Sequence, residues 1–325
     1  MSGPTFDRRL LLLAILPIAV YFLVYAVVDQ ARPTGIVFST IEVEPVLSVA
    51  VAVAEAKLRY FWLSAFVLLT VVSLAIAASS ALSLLRDTPR VDRNLVLGLV
   101  FVASISVIGF EVSGHVDHWY VYMGEGLFES VFSLLKVGSI TALDTLNIGL
   151  EISKAATAVA LLCLIACLIM TLAQPPAGLS QTELAEHLVD AIARQRTYLR
   201  HAALLYIFAI LSVLSWMYWP MPFMADKVMA ASYKELLVGA AVLHGVAFSI
   251  GVAVIYLPPA MILRGRVLRL SGDLVDEGEA GKQIQATIAT TPFDQLRQIA
   301  VMITPALVSM LPALTDVFHV AAAVN

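Results

Sequence analysis

Glu111, His115, Asp117 and His118 form the one compact group of metal-ligand types in this 325-residue chain. Imidazole nitrogens and carboxylate oxygens suit zinc or another transition metal, and on a helix the spacing of His115 and His118 turns both rings toward one ion. After Gly114 the same stretch also reads as a solvated interfacial loop, in which the two histidines would sense external pH. No other cofactor is expected. A second set of charges follows. Glu125, Glu129 and Lys136 punctuate an apolar stretch ending in Val137-Gly-Ser-Ile-Thr141, with Asp144 just beyond. Placed around a shared axis, these four would ring the outer entrance of a pore. The glycine turn lacks the TVGYG-like carbonyl loop of potassium channels, and Lys136 beside it opposes a cation pathway. An interfacial helix capping the bundle is the alternative reading. His244 lies deeper, in an uncharged run beside Ala240, Ala247 and Gly251. An ionisable residue inside a membrane segment is a functional-site hypothesis by default. A neutral histidine donating one hydrogen bond across a helix interface is the competing account.

The familiar catalytic signatures are missing. There is no HExxH, GxSxG, GxGxxG or GKS/T loop, which argues against an ATPase, a zinc metalloprotease of that type and a soluble-type hydrolase. Cys163 and Cys167, the only cysteines, are four apart in an apolar helix, a separation that does not suit a disulfide. They read as packing residues. A formal net charge of −4 without a basic stripe gives no nucleic-acid signature.

The elements that must position these residues are membrane spans. The chain is 60% hydrophobic and 14% charged, against about 25% charged in soluble proteins. Residues 60–85 and 94–110 carry no charge, and each run is long enough to cross a hydrocarbon layer as a helix. The short link between them holds Arg86, Arg90 and Arg93, so by the positive-inside rule it faces the cytoplasm. The expected fold is an all-α polytopic membrane protein of about six transmembrane helices, with interfacial or re-entrant helices and a small external cap.

In order, residues 1–28 are a cytoplasmic N-terminus and first span, and 29–58 an external segment. Residues 59–111 are a two-span hairpin with a small-residue face at Ser73, Ala77 and Ser80 in one span and Gly98, Ser106 and Gly109 in the other. Such faces let helices approach closely in lipid. Residues 112–154 are the external insertion with a short apolar or re-entrant helix, and 155–174 a fourth span. A cytoplasmic amphipathic helix over 175–200 opens with the capping box Ser180-Gln-Thr-Glu183. Residues 201–257 hold two spans, the second expected to end at Pro258-Pro259. The tail, 258–325, carries a broken apolar helix or a seventh span. Trp62, Trp119, Trp216 and Trp219 all fall at the expected outer boundary, where aromatic belts form.

On architecture, the first expectation is a passive channel in a bacterial inner membrane, homo-oligomeric and with its N-terminus in the cytoplasm. A structural or assembly subunit bound to other membrane proteins is the second. A secondary transporter or intramembrane enzyme is the third, and no inverted repeat supports it.

Overall fold

The computed structural model describes residues 7–30, 48–87, 90–112, 140–175, 178–224, 226–273 and 292–310. After a 3-10 turn over Arg8–Ala14, the chain forms α1 (Ile15–Gln30), α2 (Val49–Asp87) and α3 (Arg90–Val112). Then follow α4 (Ile140–Met170), α5 (Gln181–Tyr218), α6 (Lys227–Asp273) and α7 (Pro292–Ser309). The apolar parts of α2, α4, α5 and α6 are long enough to cross a membrane. The protein is an all-α bundle with four long apolar helices, consistent with a polytopic membrane fold.

Named contacts fix the direction of each helix. Phe66 meets Gly149, Ser73 Oγ lies 3.0 Å from Thr157 Oγ1, and the Cys167 thiol donates to the Ser80 carbonyl at 3.3 Å. Both sets of numbers rise together, so α2 and α4 run parallel. α5 opposes them. Trp219 reaches Glu55 near the start of α2, whereas Gln195 reaches Thr171 just after α4 ends. α6 reverses again, from Tyr233 bonded to Met217 at one end to Arg266 bonded to Leu172 at the other. The bundle thus has a tryptophan end and an arginine end. Leu10 and Leu13 pack with Leu172, Leu263 and Val267, which starts α1 at the arginine end.

α4 is the central helix. The face of Ser73, Ala77 and Ser80 lies against it, with Ser73 and Ser80 buried, as small residues at that spacing predict. α3 leans on α4 through Val96 and touches its hairpin partner α2 little. Gly98 and Gly109 meet no other helix among the described residues. Both point away from the bundle, with no atom near the position a Cβ would take.

Two boundaries also differ. The amphipathic helix and the span after it form one continuous α5, capped as expected by the reciprocal bonds of Ser180 and Glu183. α6 likewise continues through Pro258 and Pro259. Proline removes a ladder hydrogen bond and clashes with the preceding turn, but packing holds the axis on both sides of the pair. Ile255 and Tyr256 sit in the main core before it, and Leu263 and Val267 in the arginine-end core after it.

α7 runs antiparallel to α6. The Tyr256 hydroxyl donates to Gln298 Oε1 at 3.2 Å, and the Ala306 N–H donates to Ser249 Oγ at 3.1 Å. The second bond lies beside Pro305, which lacks the N–H that would meet the Val301 carbonyl, and it ties the next residue to the neighbouring helix. Close approach at this crossing requires Gly245. A Cβ there would strike the Ser309 side chain and lie 3.0 Å from Ala306 Cα.

Gly245→Leu is therefore expected to lift α7 from α6 while leaving the other helices in place. Hydrogen exchange by mass spectrometry on protein in detergent checks this. Amides of residues 300–309 should exchange at least about tenfold faster than in the unmodified protein, corresponding to a local loss of about 1.4 kcal/mol. Unchanged protection would mean that the contact does not hold α7.

Candidate functional site

The tryptophan end holds a buried polar cluster that links α2 to α5. Trp62 and Trp219 stack at 5.8 Å between ring centroids, and Trp216 lies 4.9 Å from Trp62 and 5.8 Å from Trp219. Trp62 and Trp219 are each only 2% exposed. Trp62 and Trp219 are thus packed into protein, with Trp216 half-buried beside them.

Glu55 is enclosed with them. A carboxylate 2% exposed must be compensated, because burying an unpaired charge is strongly unfavourable. Trp219 Nε1–H donates to Glu55 Oε1 at 2.8 Å. Arg59 Nε stands 3.2 Å from the same oxygen, one helical turn along α2, as an ionic contact without hydrogen-bond alignment. The guanidinium keeps 31% of its side chain exposed. One oxygen thus receives an indole proton and faces a cation. The arrangement joins two helices and closes the bundle. Glu55 and Trp219 are hydrogen-bond partners, and Arg59 adds an ionic contact.

The sequence carried a signal for this cluster. Glu55 and Arg59 have the i,i+4 spacing of a helical ion pair, immediately before Trp62. Reading 29–58 as an external segment passes over it.

At the arginine end, α4 stops and its terminal polar groups are taken up by neighbours. Thr171 Oγ1 donates to the Leu168 carbonyl at 2.6 Å and accepts from Gln195 Nε2 at 2.9 Å. Arg266 Nη1 donates to the Leu172 carbonyl at 2.6 Å, placing a cation where the helix dipole is negative. His187, half-buried in the first half of α5, bonds the Ala173 backbone. Burial, reinforced by the nearby Arg194 cation, lowers its affinity for a proton, with Asp190 and the Ala173 bond opposing.

The residues singled out in the sequence are placed as follows. His244 is buried in α6, with Nδ1 2.8 Å from the Ala240 carbonyl and its ring edge-on to Phe248. Because a carbonyl only accepts, Nδ1 carries the proton of this bond. Glu111 falls in the last turn of α3 and Asp144 in the first turns of α4. His115, Asp117, His118, Glu125, Glu129 and Lys136 lie outside the described residues. Among the described residues, no three histidines, cysteines or carboxylates gather as a metal site. Cys163 and Cys167 are buried thiols not joined in a disulfide.

Trp219→Phe keeps the ring and removes the donor to Glu55. It should lower unfolding stability in mixed micelles by about 1.5–3 kcal/mol, the range for a hydrogen bond to a charged group. Glu55→Gln should cost less, since the amide oxygen still accepts and Arg59 still reaches water. Equal stability of Trp219→Phe and the native protein would remove the cluster's structural role.

The His187 shift has a definite sign. A folded-state pKa below the ordinary 6.5 means the unfolded chain binds the proton more readily. Stability is then full above pH 6.5 and falls as pH drops below it. Thermal melts at pH 7.5 and 5.5 should show a smaller acid-induced loss for His187→Gln than for the native protein; parallel losses would contradict this. A comparison of the chain with known protein families, curated proteins and solved structures finds no match.

Proposed function

We propose that this chain is a structural or assembly subunit of a larger complex in a bacterial inner membrane, built on six spans with the arginine end and N-terminus in the cytoplasm. One observation carries the reading. Between the two polar ends, the bundle is filled by buried apolar side chains, among them Leu164, Leu168, Leu205, Ile210, Leu237 and Val252. Buried Glu55, Ser73 and Gln195 join helices to one another. Membrane helices associate through packing and close approach, since lipid is as apolar as leucine. The outward-facing glycines of α3, Gly98 and Gly109, fall eleven residues apart on one face and fit contact with another helix.

A homo-oligomeric channel is the second reading. It draws support from α4, whose 31 residues make a rod of about 46 Å, longer than the roughly 30 Å hydrocarbon layer. Its first turns therefore carry Asp144 on a stiff extension at the tryptophan end. Copies arranged about one axis would gather those acids, with Glu125, Glu129 and Lys136, around an entrance between subunits.

Reconstitution separates the two. Purified, folded protein in liposomes should give neither conductance nor solute flux across ions and pH. Mild cross-linking in native membranes should recover the chain in a complex with other polypeptides. Discrete conductance whose selectivity changes with Lys136→Glu would overturn the assembly reading in favour of the channel.

A further inference from the structure

At the arginine end, α5 and α7 flank a half-open cavity of about 50 Å³ lined by Arg196, Leu199, Arg200, Arg297, Gln298 and Val301. A water needs only about 10–15 Å³ of such space, so the cavity admits a group of several heavy atoms. Three arginines line it, Arg200 and Arg297 from exposed positions. Arg196 and Arg200 are one turn apart on α5, and Arg297 comes from the tail helix.

The cavity is short of negative charge. Arg196 Nε is buried and has no hydrogen-bond partner among the described residues. The ion pairs among those residues engage other cations, Arg59 with Glu55, Lys154 with Glu151 and Arg194 with Asp190. Gln298 Oε1 already accepts the Tyr256 hydroxyl, which leaves the amide NH₂ as a donor. Like charges held together repel, and leaving a guanidinium N–H buried without an acceptor is unfavourable. A multidentate oxyanion resolves both conditions, because guanidinium forks match phosphate oxygens in geometry and charge. Leu199 and Val301 add an apolar wall.

We infer that this cavity binds a phosphate group, from a lipid headgroup or from free phosphate, and that the bound anion pins α7 to α5. The location suits either source. Gln298 is level with Tyr256, two residues before Pro258, where α6 passes from the apolar span to Arg264, Arg266 and Arg269. Basic pockets at this depth, between helices on the cytoplasmic side, are where anionic headgroups are held. Because Arg297 rides on α7, the site is complete only with that helix docked. This reading is independent of whether the protein assembles a complex or conducts.

The test uses the full chain at low salt with two probes. One is inorganic phosphate, added to protein in neutral detergent. The other is phosphatidylglycerol, titrated into phosphatidylcholine nanodiscs. Hydrogen exchange over residues 296–309 and the thermal midpoint are the readouts. Phosphatidylglycerol alone protecting α7 identifies a lipid headgroup, and protection by phosphate alone identifies a free anion. Arg196→Gln, Arg200→Gln and Arg297→Gln together should raise the half-effective concentration about tenfold or more, and salt should weaken binding. Arg269→Gln, outside the cavity, should leave it unchanged. If the triple variant fails to fold, single Arg297→Gln carries the comparison from an exposed position. The inference is overturned if neither probe protects α7, or if Arg269→Gln weakens the effect as much as the cavity substitutions.

Discussion

In hydrocarbon, every peptide N–H and C=O has to find its partner within the protein, since each one left unpaired costs several kcal/mol. The design of this bundle follows from that constraint wherever a helix ends or contains proline. Beside Pro305 in α7, Ser249 of α6 accepts the Ala306 N–H. Beyond the end of α4, Arg266 takes the Leu172 carbonyl. At the end of α5, Tyr233 donates to Met217. Ser180 and Glu183 close the start of α5 reciprocally. In the first three cases the partner comes from a different helix. Satisfying the backbone is thus also what joins α6 to α4, α5 and α7.

Close approach makes those bonds reachable. An interhelical hydrogen bond of about 3 Å requires neighbouring backbones to come closer than large side chains allow. Ser73, Ser80 and Cys167 provide that approach between α2 and α4, and Gly245 provides it between α6 and α7. Gly251 serves similarly, as its missing side chain makes room for Tyr206. The middle of the bundle is consequently small-residue and apolar, and polar chemistry is displaced to the two ends. Glu55 with its tryptophans occupies one end, and the arginine-lined cavity occupies the other.

Much of this framework was legible in the sequence, because the bilayer imposes a simple code. Uncharged runs gave the cores of α2 to α6, Ser180 and Glu183 gave the start of α5, and Trp62, Trp216 and Trp219 marked one common level, with Trp119 outside the described residues. What escaped depended on neighbours. Pro258 and Pro259 looked like a helix end, since the local effect of proline is to break the ladder; packing on both flanks overrides it. Gly98 and Gly109 looked like an internal packing face, yet composition cannot say whether the neighbouring helix belongs to the same chain. Glu55 was hidden for a related reason. A carboxylate beyond an apolar run reads as solvated until the indole that buries it arrives from 164 residues later. The arginines of the inner cavity were each visible as positive-inside residues, but that they line one cavity depends on α7 folding back along α6.

His244 shows how far the residue-type argument reaches. It is buried, as a membrane-embedded functional histidine would be, and its Nδ1 proton is directed to the Ala240 carbonyl of its own helix. That bond orients the ring edge toward Phe248, which shares a packed cluster with Ile210 of α5 and Val308 of α7. The residue stands one position from Gly245, at the crossing that seats α7. The ionisable group that marks a functional hypothesis in the sequence thus sits beside the joint that seats the tail helix, and with it the arginine cavity.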